Sequence, residues 1–401
     1  MHISLADIKK AASELEGVIK PTELILSSTF SQLSGNNIYL KAEHLQKTGS
    51  FKIRGAYNKI NSLSLAEKKR GVIASSAGNH AQGVAYAASE NDIEATIVMP
   101  RGAPIAKIEA TKSYGAKVVL AGEDYDEAYQ KALKLQQEKG YTFIHPFDDL
   151  ATITGQATIG LEIINQMPEI DIIIVPVGGG GLISGISEAV KKLKPKVKVF
   201  GVEAENVASM KRSVAENKVV NLKSARTIAD GIAVKSPGEL TYQFAKENVD
   251  QFLTVSEEEI ANAILLLLER TKFVVEGSGA TPVAALLGNE FKDVQDKNIA
   301  LVLSGGNIDF NMVARIIERG LVKAGRKIRF RTRLKDKPGS LQRLLEKIAE
   351  LEANVISIQH NRYNTNLEFD QAEVELELET KNNQHVQEIW EKLREAGFVI
   401  E

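Results

Sequence analysis

What most constrains this chain is a recurrence over its first ~320 residues: short β-branched or leucine-rich runs separated by helical stretches. The runs GVIASS, ATIVMP, AKVVLA, DIIIVPV, KVKVFGVE and IALVLSGG read as strands buried on both faces. Between them, residues 64–69, 104–113 and 124–139 have helical spacing and charged faces. A repeated strand and helix alternation specifies doubly wound parallel sheets. With 401 residues, two or three domains and more than one sheet are expected.

After a helix expected over 312–323 the texture changes. In KIRFRTRL, Ile328, Phe330 and Leu334 alternate with Arg329, Arg331 and Arg333, which marks a strand with one wet face. EVELELE repeats the alternation with the opposite charge. The order is strand KIRFRTRL, helix 341–352, strand NVISIQHNRY, strand QAEVELELE, helix 383–396 and a short terminal run, FVI; this predicts a split βαββαβ unit. Its first and third strands are then antiparallel neighbours. The arginine row should meet Glu373, Glu375, Glu377 and Glu379 in cross-strand ion pairs that set register more than stability. Residues 320–327 form the expected junction.

Composition narrows the function. Cysteine is absent, which removes disulfides, zinc ribbons, iron-sulfur clusters and thiol nucleophiles. Fifty basic residues against fifty-two acidic ones leave a formal charge of -2, so neither nucleic acid nor an anionic membrane is an expected partner. The start lacks a basic region followed by an apolar one, and apolar runs such as 264–268 are far below ~20 residues; a cytoplasmic location follows by default.

Four segments carry chemistry. PVGGGGLISG, 176–185, follows a strand and opens a helix; without Cβ atoms the amides of Gly178, Gly179, Gly180, Gly181 and Leu182 can close around a phosphate. A dinucleotide site is an alternative, because Gly179, Gly181 and Ser184 nearly fit G-x-G-x-x-G, with Glu203 at ribose distance; the last glycine is missing. A glycine-rich turn for close helix packing is another. KTGSFKIRGA, 47–56, sets Lys52 between Phe51 and Ile53. A desolvated lysine has a lowered pKa and an amine free to condense with an aldehyde, although most such lysines merely snorkel. SSAGNHAQG, 75–83, stands between a strand and a helix expected over 84–90, where amides at a helix start can hold a carboxylate. SGGN, 304–307, ends the strand IALVL. Three of the four lie at strand ends, where ligands gather in open α/β sheets.

In this order and spacing the four segments resemble the pyridoxal-phosphate enzymes of the threonine dehydratase (threonine ammonia-lyase) and serine dehydratase/racemase family, over about residues 5–320. The tail is similar to an ACT regulatory domain, through DKPGSL at 336–341 and ANVISI at 353–358. The resemblance implies a two-lobed fold type II (tryptophan synthase β-like) α/β catalytic domain over 1–320. A small lobe of about 47–145 is inserted in the large one, and a ferredoxin-like ACT domain spans 327–401.

By resemblance, Lys52, beside Phe51, would hold pyridoxal phosphate through its amine and then remove the substrate's α-proton. Gly178, Gly179, Gly180, Gly181 and Leu182 would bind the cofactor phosphate, and Asn79 its ring hydroxyl. Ser76, Gly78, Asn79 and His80 would cradle the substrate carboxylate. Ser304 would face the pyridine nitrogen, while Gly231 and Glu276 line the ring. The implied reaction is β-elimination of L-threonine, and more slowly L-serine, to a 2-oxo acid (2-oxobutanoate or pyruvate) and ammonia.

Two departures from the family pattern bear on relatives. Where racemases have a proton-donating serine, two residues before the asparagine, this chain has Ala77. Six positions after Glu203, where a cation site needs an acid, stands Ser209, so no metal is expected. His44, His145 and His360 are expected to be structural or surface residues. Asp336, Gly339, Ser340 and Asn354 are candidate contacts for an amino-acid effector, isoleucine or valine, in a homo-oligomer (dimer or tetramer). The competing readings are a serine racemase or serine dehydratase, a nicotinamide oxidoreductase, a non-catalytic amino-acid sensor, and a tail that only mediates oligomerisation.

Overall fold

The computed structural model describes residues 2–363 and 367–401. The chain divides into two compact units, Met1–Ile308 and Asp309–Glu401. In the first unit the strands are β1 (Leu24–Leu26), β2 (Asn37–Lys41), β3 (Val72–Ser75), β4 (Ala95–Met99), β5 (Lys117–Leu120), β6 (Thr142–Phe143), β7 (Ile172–Pro176), β8 (Lys198–Ala204), β9 (Gln251–Val255) and β10 (Asn298–Val302). One sheet has the order β1-β2-β10-β7-β8-β9 and the other β5-β4-β3-β6. Every pairing is parallel except β1 with β2. The four-stranded sheet comes from chain that leaves the six-stranded sheet after β2 and returns at β7. The mixed α/β architecture expected from the alternation is present, and β3, β4 and β7 are buried along their whole length, as strands covered by helices on both faces must be.

The helices begin where local chemistry dictates. Ser64 caps Leu65–Arg70 in a capping box with Glu67, and Asp124 caps Tyr125–Lys139 by accepting from the Glu127 amide. Asp149 caps Leu150–Gln166 in the same way. This last helix crosses Lys52–Asn61 almost backbone to backbone. A Cβ on Gly155 would stand 2.5 Å from the Arg54 carbonyl oxygen and 2.7 Å from the Gly55 Cα.

Beside that crossing lies a buried charge network. Arg54, with no exposed surface, makes a two-pronged contact with Glu43 (2.8 and 2.9 Å) and another with Glu162 (2.5 and 2.9 Å). Lys41 reaches Glu162 at 2.6 Å and the Thr22 carbonyl at 2.8 Å. Burial opposes charge on Glu43, but the Arg54 guanidinium outweighs it and holds the carboxyl below its ordinary value. The network ties the helix that starts at Lys52 to β2, to the turn after it and to Leu150–Gln166.

In the second unit β11 (Lys327–Lys335), β12 (Asn354–Asn361) and β13 (Gln371–Glu379) form an antiparallel sheet in the order β11-β13-β12. Ile328, Phe330 and Leu334 point inward with Val374, Leu376 and Leu378, against helices Ser340–Glu350 and Asn383–Glu395; Phe330 meets Trp390 edge to face at 5.1 Å. The expected charge ladder forms: Arg331 pairs with Glu375 at 2.7 Å, Arg329 also contacts Glu375, and Lys327 reaches Glu377 at 2.7 Å. Arg333 departs from the pattern by pairing with Glu401 at 2.8 Å. The run FVI is not a strand; a single bridge between Ile400 and Thr332 stands in its place. Helix Phe310–Lys323, grouped with the first part in the sequence reading, clusters with this unit.

Removing Arg54 leaves the fully buried Glu43 carboxylate without its guanidinium partner and Glu162 with Lys41 alone. Arg54→Met should lower unfolding free energy by about 3–5 kcal/mol in denaturant titration, while a loss below about 1 kcal/mol would show that Glu43 and Glu162 are solvated without it.

Candidate active site

The carboxyl ends of β3, β6, β7 and β10 lead into one cavity of about 1310 Å³. Phe51, Lys52, Ser76, Gly78, Asn79, His80, Gly178, Gly179, Gly180, Gly181, Leu182, Gly231, Glu276 and Ser304 all line it. Residues spread over more than 250 positions of sequence are thus gathered by the parallel topology, which delivers every crossover loop to the same sheet edge.

Lys52 opens its helix and is half-buried where it borders the cavity. Its Nζ donates to the Pro146 carbonyl at 3.0 Å and lies 5.2 Å from the centre of the Phe51 ring. Burial lowers its pKa to about 8, against the opposing pull of the Glu276 charge.

The glycine loop follows β7. Gly180 is the N-cap of helix Gly181–Leu193 with φ +95°, a conformation side chains rarely adopt, and a Cβ there would fall 2.5 Å from the Met210 methyl. A Cβ on Gly178 would fall 2.8 Å from the Ile232 Cα. Thr241 donates to the Gly179 carbonyl at 2.6 Å. The first-turn amides of this helix have no intrahelical acceptor, so the loop offers donors and a helix dipole to an anion. Asn79 opens the second such start, Asn79–Ser89, with the Gly78 amide bonded to Ser76 Oγ at 3.2 Å. Ser75 adds a buried hydroxyl with no protein partner. Two amide-rich helix starts, a buried amine and an unpartnered hydroxyl around one cavity fit a cofactor that carries a phosphate and an aldehyde.

Between these lies a tight polar group. Glu276 accepts from Asn79 Nδ2 at 2.8 and 3.0 Å and from Ser278 Oγ at 2.6 Å, and Asn79 Oδ1 accepts from Asn307 at 2.8 Å. Burial, reinforced by the Asp230 charge, raises the Glu276 pKa. His80 turns its ring from the cavity mouth: Nε2 bonds the Ile144 carbonyl at 2.9 Å, and burial lowers its pKa to about 3, leaving a neutral ring. Its main-chain amide, not its imidazole, is what the helix start offers.

Glu203 is not part of the cavity lining. Its carboxylate accepts from the Met210 and Lys211 amides at 2.8 and 2.7 Å, and burial raises its pKa to about 8. Ser184 is buried, bonding the Thr241 carbonyl at 3.1 Å. The dinucleotide alternative therefore loses its ribose contact. Ser209, in the position where a cation site needs an acid, donates to the Val234 carbonyl at 3.3 Å.

His145, set aside in the sequence as structural, lines the cavity, as do Phe147, Tyr129 and the cross-lobe pair Lys107–Asp230 at 2.8 Å. The signal for His145 was its place just after a strand, but β6 is two residues long and gave no run to read. His44 packs on Phe273 at 4.6 Å, and His360 is exposed.

The second unit does not assemble the four effector candidates in one copy. Asp336, Gly339 and Ser340 form the turn after β11, whereas Asn354 pairs with Glu379 at the other end of the sheet, opposite Lys327. The separation is roughly 26 Å at ~3.3 Å per residue.

Comparisons with known proteins agree with this geometry. The family model of pyridoxal-phosphate dependent enzymes matches residues 15–305. The chain is similar to an L-threonine ammonia-lyase of Thermotoga maritima, 53% identical over 398 residues and 99% of each chain. Among solved structures it resembles the processed form of threonine deaminase isoform 2 from Solanum lycopersicum, with TM-score 0.75 and 38% identity over 79% of this chain and 94% of that one. It also resembles maize serine racemase, with TM-score 0.76 and 35% identity over 80% and 99%. The chain belongs to the family of pyridoxal-phosphate dependent enzymes.

Proposed function

We propose that this enzyme is a lyase that deaminates L-threonine, and more slowly L-serine, by β-elimination, giving 2-oxobutanoate or pyruvate and ammonia. The observation that carries the reading is the half-buried Lys52 amine on a cavity that also receives two helix starts for two anions, with burial lowering its pKa to about 8. Pyridoxal phosphate, when bound, supplies the electron sink for the pair released at the α-carbon. The amides of Gly178, Gly179, Gly180, Gly181 and Leu182 hold its phosphate. Those at the start of Asn79–Ser89, with Ser76, hold the substrate carboxylate and fix the α-carbon near Lys52.

Lys52 Nζ takes the α-proton, and its lowered pKa keeps a usable share neutral near pH 7. Ser304 offers a hydroxyl, which does not enforce protonation of a facing ring nitrogen as a carboxylate does. That favours prompt loss of the β-hydroxyl over transamination. Ala77 has no proton to give from the opposite face, which disfavours the racemase reading.

The second unit is proposed as an ACT domain over 327–401 that binds isoleucine or valine. Because Asn354 lies across the sheet from Asp336, Gly339 and Ser340, the effector site would need a second copy, and a dimer or tetramer follows. A cytoplasmic location is part of the same reading; among the described residues no helix is long and apolar enough to cross a membrane.

Purified enzyme with pyridoxal phosphate should release ammonia steadily from threonine, and Lys52→Ala should lower the rate at least about 1000-fold; a variant that keeps a tenth of the activity would remove Lys52 from the chemistry. The neutral amine is the reactive form, so capture of pyridoxal phosphate by the cofactor-free protein should rise with pH through a midpoint near 8, followed by absorbance. A midpoint above ~10 would place Lys52 in an ordinary aqueous environment. Calorimetry of the full chain with isoleucine or valine should show heat of binding, and silence with both would end the effector proposal.

A further inference from the structure

We propose that His145 is a substrate-positioning residue whose Nε2–H donates a hydrogen bond to the β-hydroxyl of the amino-acid substrate. The inference rests on the deamination reading above and adds a residue that reading does not use.

The tautomer is set by the backbone. His145 Nδ1 accepts from the Asp148 amide at 2.8 Å and from the Phe147 amide at 3.3 Å. A nitrogen that accepts must present its lone pair, so the proton of the neutral ring is on Nε2. Burial keeps the pKa below the ordinary histidine value, opposed by Asp148 and Asp149 and helped by Lys52, so the ring is a neutral donor and not a cation. Phe147 stands edge-on to it at 4.7 Å and 87°, and Phe143 lies 6.3 Å away, which fixes the ring plane.

Among the described residues the side-chain bonds of His145 are those to Nδ1, which leaves Nε2 without an acceptor there, and the residue lines the cavity. The neighbouring residue, Pro146, is the one whose carbonyl takes the Lys52 amine. His145 therefore lines the cavity close to the group that removes the α-proton, near enough for the Lys52 charge to act on its ring. His80 cannot substitute, since its Nε2 is committed to the Ile144 carbonyl.

The choice of the hydroxyl follows from charge. The two anionic parts of the cofactor and substrate have clusters of helix-start amides to meet them. A single neutral N–H among aromatic rings suits a neutral oxygen, which would otherwise be buried without a partner.

The test uses His145→Asn in the full holoenzyme, because an asparagine Oδ1 can still accept the amides two and three residues on but carries no donor as far out as Nε2. Serine is compared with β-chloroalanine, whose chloride leaves without needing a hydrogen-bond donor. The expected result is a fall in kcat/KM for serine of about 10- to 100-fold with β-chloroalanine within about 3-fold of wild type. Equal loss on both substrates, or loss on neither, overturns the proposal. Nitrogen NMR of the cofactor-free protein gives a second readout: His145 should show a pyrrole-like Nε2 and a pyridine-like Nδ1, and the opposite assignment overturns it as well. If wild type eliminates neither substrate, the deamination reading itself fails, which is a different outcome from the variant behaving like wild type.

Discussion

The site depends on holding the first turn of one helix still. Lys52 is the first residue of that helix, and two residues later the fully buried Arg54 is locked by Glu43 and Glu162. The approach of Gly55 to Gly155 brings the helix axis so near its neighbour that no methyl group fits between them. A buried ion network is costly to assemble, and replacing it by hydrocarbon can be neutral or stabilising. Its use here is geometric: five or more charge-assisted bonds in fixed directions leave the helix one position, and so leave the amine at its N-terminus one position.

Around that amine the cavity separates its polar groups by charge. Helix starts after β3 and β7 border the cavity with first-turn amides that have no intrahelical acceptor, suited to a carboxylate and a phosphate. Burial works against charge on the groups around Lys52: it holds His80 and His145 below their ordinary pKa and raises that of Glu276, while Ser304 brings a hydroxyl. Ser304 would give a facing ring nitrogen a neutral hydroxyl and not a carboxylate, so the electron sink there is the weaker one. Rapid expulsion of a β-substituent is the chemistry such a site favours over slower proton exchange from two faces.

Much of this was legible in the sequence because buried parallel strands print as unbroken apolar runs and helix starts print as caps. GVIASS, DIIIVPV and IALVLSGG each became a strand whose end borders the cavity, and the alternation in KIRFRTRL and EVELELE gave the pairing of β11 with β13 and the charged face they share. What escaped was short or non-local. β1 and β6 have three and two residues, too few for any period to show, and β9 hides behind an exposed and buried mixture suited to a sheet edge. The Arg54 network joins residues more than a hundred positions apart, so nothing local announces it. FVI read as a strand by its apolarity, yet it makes only one bridge, Ile400 with Thr332 on the open edge of β11, before the sequence ends. His145 was invisible for the same reason as β6.

The central claim is that the amine at position 52 carries the cofactor. Reducing the holoenzyme with borohydride, digesting it and sequencing the pyridoxyl-bearing peptide tests this directly. The account predicts a single modified peptide containing KTGSFKIRGA, with the label on Lys52 and not on Lys47. A label on any other lysine, or a protein that takes up no pyridoxal phosphate, would contradict it.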